Sequence, residues 1–89
     1  MIFELSKRAQ ADIEDIARYT LDNFGIVQTE NYINGLYDSF ALLTDNPRLG
    51  RDWSGVRRRY IYRMHYVYYR LVQERVFITH IRHTSRVPL

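Results

Sequence analysis

The sequence contains no cysteine. Disulfides and thiolate metal sites are therefore excluded as supports for the fold, and a reducing compartment suits the chain. Proline is confined to Pro47 and Pro88, and glycine to Gly25, Gly35, Gly50 and Gly55. So few breakers leave most of the length free for regular structure, and they supply neither a glycine-rich phosphate loop nor a serine elbow. No apolar run approaches the roughly 20 residues of a membrane span. Glu4 stands where a secretory leader carries a basic segment and an apolar run, so no leader is expected. The expectation is a soluble, cytoplasmic protein with no membrane association. The second half is also poor in acid, with only Asp52 and Glu74 after residue 46, and it has no lysine.

What is present divides unevenly. The 89 residues are 46% apolar, which is enough for a globular chain and sets the expectation of one domain over residues 1–89. A chain of this size buries about 60–65% of its unfolded surface, so its core is thin. Residues 1–46 carry three basic and eight acidic side chains, a net −5, whereas residues 47–89 carry ten arginines and two acids, a net +8. That asymmetry points to an anionic partner for one face. Arginine is suited to the task because its planar fork binds carboxylates and phosphates bidentately and stacks on aromatic rings. The plainer role, keeping a small sheet soluble, is also open.

The periodicities predict an α+β chain of order β-α-α-β-β-β. Ile2 to Leu5 reads as a short strand. Ser6 offers a hydroxyl cap, and Ala9, Ile13, Ile16, Ala17, Thr20, Leu21 and Phe24 mark the apolar face of a helix from Lys7 to Phe24 that Gly25 stops. A second helix over Val27–Leu43 places Ile33, Leu36, Tyr37, Phe40 and Leu43 on one stripe. Gly35 allows close approach to the first helix, and Asn46-Pro47 ends it. The short link makes the two helices an antiparallel hairpin. Asn46 to Gly55 reads as a loop in which Trp53 plugs the end of the core. Strands follow at Val56–Tyr62, His65–Leu71 and Val76–Ile81, with a tight reversal at Gln73-Glu74. Their short links favour antiparallel pairing. The helical hairpin should pack on one face of a small antiparallel sheet.

Four stretches, in order, carry a resemblance: Leu5-Ser6-Lys7-Arg8-Ala9 with Asp12 and Ile13; Asn46-Pro47-Arg48-Leu49-Gly50-Arg51; His65-Tyr66-Val67-Tyr68-Tyr69-Arg70; and Ile81-Arg82-His83-Thr84-Ser85-Arg86. Together they resemble the RelE/ParE superfamily of bacterial toxins, over nearly the whole chain. The Asn-Pro-Arg-Leu-Gly-Arg loop and the His-to-Arg ending look more like the ParE branch. The resemblance implies a growth-inhibiting toxin component of a type II toxin–antitoxin pair, neutralised by a small ParD-like antitoxin wrapped over it. ParE-like toxins poison DNA gyrase, and their complexes bind operator DNA through the antitoxin. RelE-like toxins cut messenger RNA in the ribosome.

The residues bear on that alternative. Cleavage by a 2′-hydroxyl needs a base, an acid and cations for the phosphate. Arginine stays protonated and is a poor base, so the bases must be sought among His65, His80 and His83. If the chain is a nuclease, His83, Arg86 and His65 are its catalytic candidates. RelE-like nucleases, however, carry arginine where this chain has His65 and a basic residue where it has Ser85. They also carry a tyrosine beyond, whereas Val87-Pro88-Leu89 holds none. Only Arg86 matches, so the nuclease set is incomplete and no catalytic residue is assigned under the gyrase reading.

The target- or antitoxin-binding candidates are Arg57, Arg59, Arg63, Tyr66, Tyr68, Arg82, His83 and Arg86. Within Arg57-Arg58-Arg59, alternation along a strand prevents all three from pointing one way. Tyr66 and Tyr68 share a face and either stack on a partner or cover the core with wet hydroxyls. His80 reads as structural. The histidines lack metal-ligand spacing, so neither metal nor cofactor is expected. A basic nucleic-acid-binding module is a third reading, with steep salt dependence as its mark.

Overall fold

The computed structural model describes residues 2–87. Strand β1 (Phe3–Leu5) leads into helix α1 (Lys7–Phe24), followed by α2 (Ile26–Asp45) and strands β2 (Arg51–Ser54), β3 (Arg57–Tyr62), β4 (His65–Val72) and β5 (Arg75–His83); a single 3₁₀ turn, Thr84–Arg86, closes the order.

Ser6 fixes the first junction. Its extended backbone caps α1, its Oγ accepts from the Ala9 N–H at 2.9 Å, and the same hydroxyl donates to the Thr79 carbonyl at 2.6 Å. Its own N–H donates to Ile78 O. One residue thus starts the helix and sews it to β5. Gly25 is the whole link between the helices. Its N–H closes α1 on Leu21 O, and its carbonyl accepts from the Thr29 N–H to open α2. Its φ of 86° and ψ of 176° lie in a region reserved for glycine.

The five strands form one sheet in the order β1-β5-β4-β3-β2. The sheet is mixed rather than antiparallel throughout: β1 runs parallel to β5, with Phe3 opposite Val76 and Leu5 opposite Ile78. The expected loop also contains a strand, β2, whose four residues are all exposed and whose pairing with β3 is broken by a bulge between Asp52 and Ser54. Val56, expected in a strand, lies instead in the turn between β2 and β3. Both remaining hairpins turn through left-handed residues, Arg63 in one and the Gln73-Glu74 pair in the other.

The helices cover one sheet face. Ala9, Ile13 and Ile16 of α1 and Leu36, Phe40 and Leu43 of α2 pack on Val67, Tyr69, Val76, Ile78 and Ile81. The inward positions on β5 change parity between Ile78 and Ile81. Tyr68 pairs with His80 and Tyr69 with Ile78, leaving Thr79 as the unopposed residue of a bulge. Gly35 makes room for a strand side chain rather than for α1, because a Cβ there would overlap the Tyr62 hydroxyl. Leu21 and Phe24, read as apolar-face residues, are exposed near the hairpin tip. Both lie beyond the part of α1 that the sheet covers.

Candidate functional site

Alternation along β3, β4 and β5 sends one set of side chains to the face the helices leave open. Cross-strand pairing aligns them in rows: Arg57 with Arg70 and Phe77, Arg59 with Tyr68 and His80, and Ile61 with Tyr66 and Arg82. Two guanidinium groups on this face rest on rings. Arg59 lies 4.1 Å from the Tyr66 ring centre, and Arg70 lies 5.4 Å from that of Phe77. Ion pairs among the described residues are Arg18–Asp15, Arg58–Asp52 and Arg75–Glu4. None involves Arg57, Arg59, Arg70 or Arg82. The open face therefore holds four cations without carboxylate partners.

Arg58 points the other way and has a structural task. Its Nε donates to Gly50 O, its second nitrogen to Asp52 at 2.6 Å and its third to Arg48 O. It knits the loop that Tyr69 also anchors, the Tyr69 hydroxyl accepting from the Gly50 N–H and donating to Pro47 O. Arg63 sits in the β3–β4 turn, exposed, with its guanidinium 5.7 Å from the Tyr62 ring centre, away from the open face.

Tyr68 requires a correction. It does lie on the open side with Tyr66, but it is 2% exposed and cannot touch a partner directly. His80 stacks on it at 4.2 Å with an interplanar angle of 6°, and Trp53 meets its edge at 5.1 Å. Trp53 in turn does not plug the end of the buried core; at 45% exposure it forms part of this outer aromatic layer. Its position on the bulged edge strand β2 brings it there.

The remaining candidates meet at the other end of β4 and β5. His65 and His83 are opposite each other in the ladder, with ring centres 5.1 Å apart and the rings nearly perpendicular. The Tyr32 hydroxyl of α2 accepts from the Met64 N–H at 3.3 Å and contacts His65 Nδ1 at 2.7 Å. We assign the Tyr32 proton to His65 Nδ1, the arrangement in which the hydroxyl both accepts from Met64 and donates. The His65 proton then resides on Nε2. His83 Nδ1 accepts the Ser85 N–H at 3.1 Å, and a backbone amide can only donate. The His83 proton therefore also sits on Nε2. Burial, and then the neighbouring His83, lower the pKa of His65 to about 4, so it is neutral near pH 7. Burial raises the Tyr32 pKa and keeps its proton in place. His80 differs: Thr79 Oγ1 donates to Tyr68 O and receives from His80 Nδ1, leaving the His80 Nε2 lone pair free. Its pKa is also lowered, first by burial and then by Arg8.

This histidine pair borders a cavity of about 850 Å³ between α1 and the C-terminal half of β5. Arg82, Arg86 and Ser85 line it on one side, and Arg8, Tyr19 and Phe24 of α1 on the other. Beyond Ile78, β5 has no neighbour in β1, and α1 takes its place: the Ile81 N–H donates to Asp12 Oδ2 at 2.9 Å. Sequence reasoning missed Tyr32, which lay among ordinary apolar positions of α2, and Arg70, whose partner Phe77 is on another strand. The sequence marks Asp12 as part of the opening motif and does not show its bond to β5. Among the described residues no cluster of three metal-ligating side chains forms, and no helix is long and apolar enough to cross a membrane.

A family model described as the ParE toxin of the type II toxin–antitoxin system parDE matches residues 3–88. Toxin ParE1 of Caulobacter vibrioides is 33% identical over 86 residues, covering 93% of this chain and 88% of that protein. Toxin ParE1 of Mycobacterium tuberculosis is 34% identical over 73 residues, covering 79% and 74%. A solved structure described as a chromosomal ParDE system from P. aeruginosa superposes with a TM-score of 0.80 over 93% of this chain and 95% of that one. At 17% identity that likeness is one of fold. On the match across residues 3–88 and the identity to two ParE1 toxins, the chain belongs to the ParE toxins of type II toxin–antitoxin systems.

Proposed function

We propose that this ParE-family chain is a single-domain cytoplasmic toxin that stops bacterial growth by gripping and poisoning DNA gyrase. In this reading a ParD-like antitoxin neutralises it by binding, and the pair contacts operator DNA through the antitoxin. The reading is one of protein-directed inhibition without a bond-breaking step, a metal or a cofactor. The observation that carries it is the hydrogen bonding at His65 and His83, with the tautomers assigned above. Each has Nδ1 occupied as an acceptor and Nε2 occupied by a proton. Neither has a lone pair to receive a 2′-hydroxyl proton, so the pair beside Arg82 and Arg86 lacks a general base. The open face supports the same reading, because Arg59 and Arg70 are pre-positioned on rings and lack carboxylates. Guanidinium groups held in advance lose less freedom on binding.

The ribonuclease alternative now rests on His80, whose free Nε2 lies on an arginine-bearing face. The deciding experiment expresses the chain alone in bacteria and measures growth, plasmid supercoiling and messenger RNA integrity together. Growth arrest with lost supercoiling and intact RNA is the expected result. Cleaved RNA that becomes intact in His80→Ala would replace the gyrase reading with the nuclease one. Healthy growth at high soluble expression would refute both.

A further inference from the structure

The open sheet face carries a further cation. Arg51 of β2 is opposite Arg59 in the ladder and so points the same way. It forms no ion pair among the described residues. Arg82 belongs to the border with the cavity beside the histidine pair, which leaves Arg51, Arg57, Arg59 and Arg70 on the face proper. These four lie on β2, β3 and β4. Strands about 4.8 Å apart put their backbones within about 10 Å across the sheet. Glu4, the carboxylate that β1 sends to this side, is taken by Arg75 at 2.7 Å. Among the described residues the four guanidinium groups have no anion of their own.

Charge density decides what such a face suits. Duplex DNA bears one negative charge per about 1.7 Å of its axis, so about six phosphates fall within about 10 Å. A protein partner would have to crowd four carboxylates into the same space against their mutual repulsion. The rings decide between paired and single strands. Single-strand binding relies on bare aromatic faces on which bases stack. Here Tyr66 lies under Arg59, Phe77 under Arg70 and Tyr68 under His80. Of the rings in this layer only Trp53 is exposed. The shape works against base reading as well. The five strands span about 19 Å, wider than a major groove of about 12 Å, so the face meets phosphates rather than base edges.

We propose that this face binds the phosphate backbone of duplex DNA, without regard to sequence, through Arg51, Arg57, Arg59 and Arg70. Such binding goes beyond the gyrase reading and needs no gyrase. On that reading, the duplex gripped is the one the enzyme carries, so the toxin holds the DNA as well as the protein. Arg59 and Arg70 rest on rings and lose little freedom on contact. Arg51 and Arg57 are exposed, and the cation–ring contacts among the described residues involve neither. They can therefore be removed without disturbing the aromatic layer.

The test is fluorescence anisotropy of a short labelled DNA duplex titrated with the purified chain, between about 50 and about 200 mM salt. Four phosphate contacts should give log affinity against log salt a slope of about −3 to −4. The double variant Arg51→Ala with Arg57→Ala should bind at least tenfold more weakly at the lower salt and flatten that slope by about 2. Lys7→Ala with Arg18→Ala removes the same charge from exposed positions on α1 and should bind as the unaltered chain does. Every substituted side chain is exposed, and a retained thermal transition verifies folding. A second duplex of unrelated sequence should bind equally. No salt-dependent binding, or equal weakening in the α1 variant, would overturn the proposal. Tighter binding to a single strand of DNA or RNA of the same length would assign the face to unpaired nucleic acid and overturn it too. Displacement of the duplex by poly-glutamate at matched charge would point to an acidic protein, with the same consequence. Gyrase supercoiling is assayed separately on the same preparations. Inhibition by a chain that does not bind DNA would refute this inference and leave the gyrase reading standing; DNA binding without inhibition would do the reverse.

Discussion

Acid should loosen this fold through His65, and the effect can be sized. The side chain is held neutral, with a folded pKa of about 4 against an ordinary 6.5, chiefly by burial and then by His83. Between those two values the unfolded chain binds a proton that the folded one refuses. Stability is therefore complete above the unfolded value and falls as pH drops through the window from about 6.5 to about 4. At pH 5 the full shift would remove about 2 kcal/mol. His65 is only half-buried, so solvent screening brings this to about 1 kcal/mol. For a chain of this length, that loss lowers the melting temperature by roughly 4–8 °C. The assay compares melting at pH 7 and pH 5 for the unaltered protein and for His65→Gln, whose amide oxygen can still accept the Tyr32 proton. Both share the titration of His80, also held low by burial, and of every carboxylate, so the difference between the two drops isolates His65. The variant's drop should be smaller by the stated amount. Parallel behaviour would show that His65 is not held neutral, and the tautomer argument built on Tyr32 would fall with it.

Three further outcomes follow from single features of the fold. Gly25→Ala should cost about 1–3 kcal/mol by thermal or urea melting, because its backbone region is closed to a Cβ even though the space around it is open. Replacing Gln73-Glu74 by Asn-Gly should stabilise by about 1–2 kcal/mol, since both residues are now held left-handed at φ of 51° and 64° in a two-residue hairpin turn. Arg59→Ala should lower the melting temperature by roughly 2–8 °C, losing about 0.5–1 kcal/mol from the Tyr66 contact, and weaken growth arrest on the order of tenfold in a titrated-expression assay, more than that loss of stability accounts for.

What could be read from the sequence was what is local. Ser6 as a cap, Gly25 as a stop, the two helical stripes and the alternation of β4 each depend on residues within a few positions of one another. The misreadings involve partners far along the chain. Nothing near Phe3 announces that it will lie parallel to Val76. The bulge at Thr79 changes which β5 side chains face inward, and only pairing with β4 reveals it. Trp53 reads from the sequence as a plug for the end of the core. Its actual neighbour, Tyr68, lies across two strand pairings on the opposite face. The candidate site shows the same division. Arg57, Arg59, Arg82 and Arg86 could be named from composition and alternation, but the Tyr32–His65 contact joins residues 33 positions apart and decides what the histidines can do.

Under the proposed gripping reading, that contact accounts for a histidine pair beside arginines that does not cut RNA. Catalysis by imidazole needs a nitrogen that can take a proton and give it up within the reaction. A relay that pins Nδ1 as an acceptor turns the ring into a fixed donor, useful for holding an anion. Tyr32 and Ser85 impose this on His65 and His83 by different means, one with a side-chain hydroxyl and one with a backbone amide. Removing only the hydroxyl in Tyr32→Phe would free His65 Nδ1 and let its proton move between the two nitrogens. If gripping is the mechanism, that variant should lose affinity for its acidic partner and gain no cleavage of RNA. If RNA cleavage appeared or increased instead, the relay would have been suppressing chemistry, and the case for a purely binding toxin would fail.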